Sequence, residues 1–222
     1  MEIVEHEKRL AAESAADLAE VGMTVGLGTG TTVAHFVPAL AARGLELRCV
    51  ATSPRTEAAA RQVGLRVERF SAVEQVDLAV DGADQVAPDG WLVKGGGGAH
   101  TREKLVAAAA ERFVVIVDST KLVLALRPPV PVELLAFGLA STLRRLAVLG
   151  PVQRRDAPLT PDGGVLCDYL GPVDDPDALD EALRAVPGVV EHGLFPPELV
   201  TEIVVGREDR VERLRPEGPR AR

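Results

Sequence analysis

The sequence predicts an α/β fold: a mostly parallel sheet covered by helices on both faces, followed by a smaller α+β domain. Three observations carry this reading. From the N-terminus to about residue 120, helical and strand patterns alternate one by one. The strands among them are short apolar runs, as expected of strands buried on both faces. Near Arg127-Pro128-Pro129 the pattern changes to strand, helix, two strands, helix, strand.

Each element has its own local signal. HEKRLAAESAADLAEV (6–21) carries helical periodicity and stops at Gly22. MTVGLG reads as a strand, and TGTT leads into a second helix running through Arg43. LELRCVAT is the next strand. Ser53 then serves as an N-cap with Pro54 at the first helical position, opening a helix that closes near Gly64. LRVERF and VDLAV are further strands, the second ending at Asp81. WLVK runs into four glycines, a helix follows from about Thr101 to Arg112, and FVVIV is the next strand. Beyond the two prolines come VPVELLA, the helix FGLASTLRRLAVLG and the strand VQRRD. VLCDYL follows the Pro161-Asp162-Gly163-Gly164 turn. A helix capped at Asp175-Pro176 runs to Ala185, and VVEHGLF closes the series. That β-α-β-β-α-β order is the ferredoxin-like arrangement. ELVTEIVVG reads as a strand returning to the first domain, with the tail EDRVERLRPEGPRAR frayed at its Pro/Gly-rich end. The expected domains are 1–128 plus about 203–222, and 129–202.

Composition narrows the function. At 222 residues, with 46% hydrophobic and 26% charged side chains, the chain can bury a core without disulfide or metal staples. A net charge of −8 argues against nucleic acid or an anionic membrane as partner, and one Trp, one Tyr and five Phe leave little for base stacking. Cys49 and Cys167 lie in apolar runs without paired spacing, so both read as buried thiols of a reducing cytoplasm. Val21 to Ala42 lacks charge, but four Gly, four Thr, His35 and Pro38 speak against a lipid-facing helix. Only four lysines occur, Lys8, Lys94, Lys104 and Lys121, against 21 arginines, so each retained lysine draws notice.

Three glycine-bearing loops fall at strand ends. Gly26-Leu27-Gly28-Thr29-Gly30-Thr31-Thr32 joins a strand to a helix. Its glycines admit close backbone approach, and the helix start and Thr hydroxyls offer donors suited to a phosphate. A tight structural turn is the competing reading, because neither G-x-G-x-x-G nor a P-loop lysine is present. Asp81-Gly82-Ala83-Asp84 ends an apolar strand, where open parallel sheets bind ligands. Its two carboxylates could orient sugar hydroxyls, exchange protons or bind a metal, or simply form an Asp-Gly turn. No His or third carboxylate lies at ligand spacing, so no metal is expected. Lys94-Gly95-Gly96-Gly97-Gly98 opens a helix at His100-Thr101-Arg102-Glu103-Lys104. Four glycines cost about 1 kcal/mol each in backbone ordering, which disfavours a mere linker. Glu103 suits either a functional carboxylate or simple complementarity to the helix dipole. Lys121, in Asp118-Ser119-Thr120-Lys121, follows another apolar strand. His6, His35, His100, His192 and Lys104 read as packing or surface residues. Together the loops point to a small, polar, phosphorylated ligand.

Taken together, VGLGTGTTVAHF, ATSPRT, VDLAVDGADQV, LVKGGGGAHTREKLVA, VDSTKLV, PVELL, LTPDGGVLCDY and VPGVVEHGLF resemble the type A ribose-5-phosphate isomerase family, in order, over about residues 3–207. The resemblance implies a Rossmann-like domain with a smaller ferredoxin-like one, assembled as a homodimer or homotetramer. It implies an enzyme without cofactor or metal that interconverts ribose 5-phosphate and ribulose 5-phosphate in the pentose phosphate pathway. By the same resemblance Glu103 is the general base, and Asp81, Asp84 and Lys94 form the polar catalytic cluster. Thr29, Gly30, Thr31 and Thr32 form one substrate loop. Gly82 and Ala83 lie between the two aspartates. Gly95, Gly96 and Gly97 form another substrate loop, and Lys121 and Lys8 complete the contacts, Lys8 towards the phosphate. The sequence departs from the family pattern at Gln85, His100 and Gly163, where Glu, Leu and Asn are usual. Two rivals stand beside this reading: a non-catalytic sugar-phosphate sensor, which predicts a DNA-binding helix-turn-helix not visible here, and another sugar-phosphate enzyme of similar fold.

Overall fold

The computed structural model describes residues 2–216. The chain runs α1 (Glu2–Ala16), β1 (Thr24–Leu27), α2 (Val33–Ala42), β2 (Arg48–Ala51), α3 (Pro54–Gln62), β3 (Val67–Glu68), β4 (Val76–Asp81), β5 (Gln85–Val86), β6 (Leu92–Val93), α4 (His100–Ala108) and β7 (Ala110–Asp118). It continues through β8 (Val130–Leu135), α5 (Leu139–Leu146), β9 (Val152–Arg154), β10 (Gly164–Tyr169), α6 (Pro176–Arg184), β11 (Val189–His192), β12 (Leu194–Phe195), β13 (Glu202–Arg207) and β14 (Arg210–Leu214).

The main sheet has the order β14-β13-β7-β4-β1-β2-β3 and is parallel throughout except for β14 at one edge. The chain adds β2 and β3 on one side of β1, then returns to lay β4 on the other. A crevice therefore opens between the carboxyl ends of β1 and β4, where such sheets bind ligands. Strand alternation sorts the side chains to two faces. Val25, Leu27, Leu78, Val80, Val114 and Ile116 pack with α1 and α2, whereas Ala79, Phe113, Val115 and Val117 pack with Val106 and Ala107 of α4. On the α4 face β1 offers Gly26, where a Cβ would lie 2.5 Å from Val106 Cγ1. The helix that carries Glu103 thus packs directly on backbone.

The second sheet, β11-β8-β10-β9, is fully antiparallel and buries Val132, Leu134, Cys167 and Tyr169 against Leu146, Leu179 and Leu183 of α5 and α6. Its strand order and connections give the ferredoxin-like α+β unit beside the Rossmann-like sheet. Both cysteines are free and buried. A three-stranded sheet, β12-β6-β5, sends Val93 and Leu194 into the core of the second sheet and Val86, Leu92 and Phe195 into the core under α4.

Several boundaries differ from the sequence reading. Helix α1 covers 2–16 rather than 6–21, because Leu18 and Ala19 already close tight turns on Ala15 and Ala16. Helix α4 ends at Ala108, not Arg112, because β4 recruits Ala110 and Arg112 into β7. VVEHGLF divides at Gly193, which donates to Pro131 O and accepts from Lys94 N, so β11 and β12 join different sheets. The first part of the tail, given no element in the sequence reading, forms β14, and the Pro/Gly-rich end read as frayed lies outside the described residues beyond Pro216.

Helix α1 rests on β13 so closely that a Cβ at Gly206 would lie 1.9 Å from Glu7 O. Gly206→Ala is expected to destabilise the fold by about 1–3 kcal/mol through this backbone clash. Urea unfolding measures it, and an unchanged midpoint would contradict the packing.

Candidate active site

The crevice is lined by Thr29, Gly30, Thr31 and Thr32 after β1, Gly82, Ala83 and Asp84 after β4, Lys94 to Gly97 after β6, Glu103 of α4 and Lys121 after β7. Each segment is held by local chemistry. Ser53 caps α3 by accepting from Thr56 N (3.1 Å), while Thr56 Oγ1 donates to Gly28 O (2.8 Å). Thr29 Oγ1 lies 2.8 Å from Thr52 Oγ1. Gly28 has to be glycine, since a Cβ would sit 2.0 Å from the Asp81 carboxyl. Asp81 Oδ1 in turn accepts from Thr29 N (2.9 Å) and Gly82 N (2.7 Å), tying the first two loops together.

Lys94 is 2% exposed on the floor of the cleft. Its ammonium stands 3.0 Å from Asp81 Oδ2 and 3.1 Å from Glu103 Oε2 and donates to Gly82 O. The carboxylates are 3% and 5% exposed. Both contacts are ionic rather than well-aligned hydrogen bonds, which leaves Asp81 Oδ2 and Glu103 Oε2 with free lone pairs. Two buried carboxylates thus share one ammonium. Burial and the Asp81 charge push Glu103 up to about 8, with Lys94 opposing them. Burial also raises Asp81 against the pull of Lys94 and the two amides. Burial alone would lower Lys94, but the two carboxylates overcome it and hold its ammonium above the ordinary lysine range. The cluster therefore holds a carboxylate able to take up a proton near neutral pH, beside a permanent cation.

The cleft wall includes all the expected loop residues. Asp84 faces it and accepts from Gly96 N (2.7 Å), and Lys121 has no ion-pair partner among the described residues. Asp81 lies behind Lys94 rather than in the wall. Lys8 is not brought to the wall: its ammonium is taken by Glu5 at 2.6 Å. The neighbouring Glu7 accepts from Ser119 N and Oγ, which anchors α1 to the Lys121 turn. Lys104 points away, to Glu191 Oε1 (2.6 Å) and His192 O (2.7 Å). His100 is wholly buried beneath Gly95, and burial drops it to about 3, so it stays neutral. Gln85 bonds both N–H and C=O of Arg127, a task Glu could do only in half. Gly163 has φ +84°, in the left-handed region that Asn also tolerates. Among the described residues no three His, Cys, Asp or Glu side chains converge as a metal-binding group, and no helix is long and apolar enough to cross a membrane. The sequence reading missed Arg155, which donates to Gly95 O and Gly96 O at 3.1 Å each. Its only signal was a charged pair, Arg155 in the run VQRRD and Asp168 in the run VLCDYL, both read as strands.

The family described as ribose 5-phosphate isomerase A (phosphoriboisomerase A) matches residues 48–210. The chain belongs to the ribose 5-phosphate isomerase A family. It is 47% identical over 223 residues to the ribose-5-phosphate isomerase A of Caulobacter vibrioides, covering 95% of this chain and 98% of that one. The enzyme of that name from Natronomonas pharaonis is 45% identical, covering 94% and 96%. Among solved structures, ribose 5-phosphate isomerase A from Neisseria gonorrhoeae superposes with a TM-score of 0.91 at 31% identity, covering 96% and 98%. A D-ribose-5-phosphate isomerase in complex with phospho-erythronic acid gives 0.90 at 32% identity, covering 96% and 99%.

The shared ammonium makes a sign-definite prediction. Asp81→Asn removes the like charge nearest Glu103 and leaves Lys94 to Glu103 alone, so both effects favour the carboxylate. The Glu103 titration, followed by carboxyl ¹³C NMR, is expected to move to lower pH by roughly a unit or more. A shift upward, or none, would contradict the arrangement.

Proposed function

We infer that this cleft interconverts D-ribose 5-phosphate and D-ribulose 5-phosphate, an aldose–ketose isomerisation of the non-oxidative pentose phosphate pathway. Family membership supports the reaction. The observation that carries the residue assignment is the buried Asp81–Lys94–Glu103 cluster opening on a donor-rich cleft.

In this reading the Glu103 carboxylate takes the C2 proton of the open-chain aldose. The electron pair moves into a C1–C2 double bond, and the C1 oxygen becomes an enediolate. Lys94 stabilises that charge as it develops, in a water-poor setting where a fixed cation is most effective. Glu103 then returns the proton to C1 while the C2 hydroxyl proton passes, by way of Asp84, to the C1 oxygen, which gives the ketose. A carboxylate whose proton affinity is matched to neutral pH serves both steps. Asp84, facing the cleft, takes part in ring opening and hydroxyl proton movement, with Asp81 holding Lys94 and the first loop from behind. The phosphate is met by Gly30 to Thr32 at the start of α2 and by Lys121, local positive groups in a chain of net charge −8.

The same reading includes a homo-oligomer, which the exposed apolar side chains of Phe137 (92%), Leu124 (90%) and Val148 (85%) support. It also includes a cytoplasmic location, supported by two free thiols, and a division into 1–128 plus about 203–222 and 129–202, supported by β8 to β11 forming a sheet of their own while β13 and β14 join the first, with β12 alone pairing across the boundary to β6.

Two outcomes test it. Glu103→Gln is expected to lower kcat by roughly 100-fold or more at similar KM and to stop exchange of the substrate's C2 hydrogen with D₂O. Its melting temperature should stay nearly unchanged. A variant keeping more than about a tenth of wild-type turnover would remove Glu103 from the role. Phospho-erythronic acid is expected to bind at least roughly 100-fold more tightly than erythronic acid by calorimetry. Lys121→Met should weaken only the phosphorylated ligand. Equal binding of both acids would overturn the phosphate assignment.

A further inference from the structure

The glycine loop after Lys94 is gripped from behind by the second sheet. Arg155, just beyond β9, sends one guanidinium nitrogen to both Gly95 O and Gly96 O at 3.1 Å. Its other two nitrogens form a fork on Asp168 of β10, at 2.9 and 2.6 Å. In a trans peptide the N–H points opposite to the C=O. Fixing the Gly95 and Gly96 carbonyls towards Arg155 therefore turns the Gly96 and Gly97 N–H groups the other way, into the cleft. The Gly96 N–H is found there, on Asp84 Oδ2 at 2.7 Å. The Gly97 N–H has no internal partner among the described residues and is left for a ligand. A cation behind the two carbonyls also polarises both peptides and strengthens their N–H groups as donors.

We propose that Arg155, locked by Asp168, is a positioning residue for the isomerisation: it holds the Gly95–Gly97 peptides so that their amides, with Lys94, form the donor set for the substrate oxygen that becomes negative in the transition state. This rests on the isomerase reading of the cleft. Only a planar, multiply donating cation does this work. A lysine at the same place has a point charge that cannot span two carbonyls and a carboxylate at once.

The test compares wild type, Arg155→Ala, Asp168→Asn and the exposed neighbour Arg154→Met with ribose 5-phosphate. Arg155→Ala is expected to lose about 10-fold or more in kcat, with KM within about threefold, because the lost contact acts in the transition state. Guanidinium ion at tens of millimolar should restore part of that turnover and methylammonium should not. Asp168→Asn should lose less, and Arg154→Met nothing. Amide hydrogen exchange of the Lys94–Ala99 segment should quicken in Arg155→Ala while the rest of the fold stays protected. Retention of more than half the wild-type kcat by Arg155→Ala overturns the proposal. So does a loss that guanidinium leaves untouched and that follows a general fall in stability. Should wild type itself fail to convert ribose 5-phosphate, the isomerase reading falls instead, and the exchange of Lys94–Ala99 still decides whether Arg155 holds the loop.

Discussion

The Lys94 ammonium, closed off from water between Asp81 and Glu103, sets the terms for everything around it. Each buried ion costs several kcal/mol in lost hydration, and Coulomb attraction recovers this only when geometry is tight. Two carboxylates to one ammonium leaves one negative charge over, which the cluster accommodates by letting a carboxyl hold its proton more strongly than in water. An arrangement that is poor as a stabilising device is thereby chemically suited to the acid–base role proposed for it. The same low-dielectric surroundings that make it costly make it chemically responsive at neutral pH.

Holding three such groups in place takes close approaches from all sides. Gly28 lets the first loop lie against Asp81, Gly26 lets α4 press on β1 with Glu103 in its first turn, and Gly193 brings β12 alongside the Lys94 backbone. A single methyl group would meet the Asp81 carboxyl at Gly28, the Lys94 carbonyl at Gly193 and the Val106 side chain at Gly26. The second sheet completes the enclosure. Arg155 grips the Gly95–Gly96 carbonyls, Glu133 accepts from Thr101, and Glu191 accepts from Lys104, next to Glu103 in the chain. The site thus belongs to the Rossmann-like sheet by its side chains and to the ferredoxin-like unit by its support.

Charge distribution follows the same division. The chain as a whole repels anions, yet the cleft presents two helix starts, glycine amides and Lys121, which has no ion-pair partner among the described residues. Lys8 shows how such an assignment can be altered by context. Its helix is anchored at the correct edge through Glu7 and Ser119, but Glu5 one turn earlier holds its ammonium at 2.6 Å.

Much of this was legible from the sequence because it is written in local terms. Buried parallel strands require apolar runs, Ser53-Pro54 and Asp175-Pro176 start helices by their own hydrogen bonds and φ, and glycine runs at strand ends announce backbone approached by a ligand. That the loops carrying Asp81, Asp84, Lys94, Glu103 and Lys121 share the strand-end edge was legible from the pattern, but their separate roles came only through resemblance, since spacing alone left turns and dipole partners as equal readings. The tertiary structure decided the rest. That VVEHGLF breaks at Gly193, that β14 forms at all, that Glu103 and Asp81 meet on one ammonium and that Arg155 reaches across 60 residues to the glycine loop are all contacts between distant segments. Proton affinity and donor direction depend on what is packed beside a group, and no local stretch of sequence carries that information.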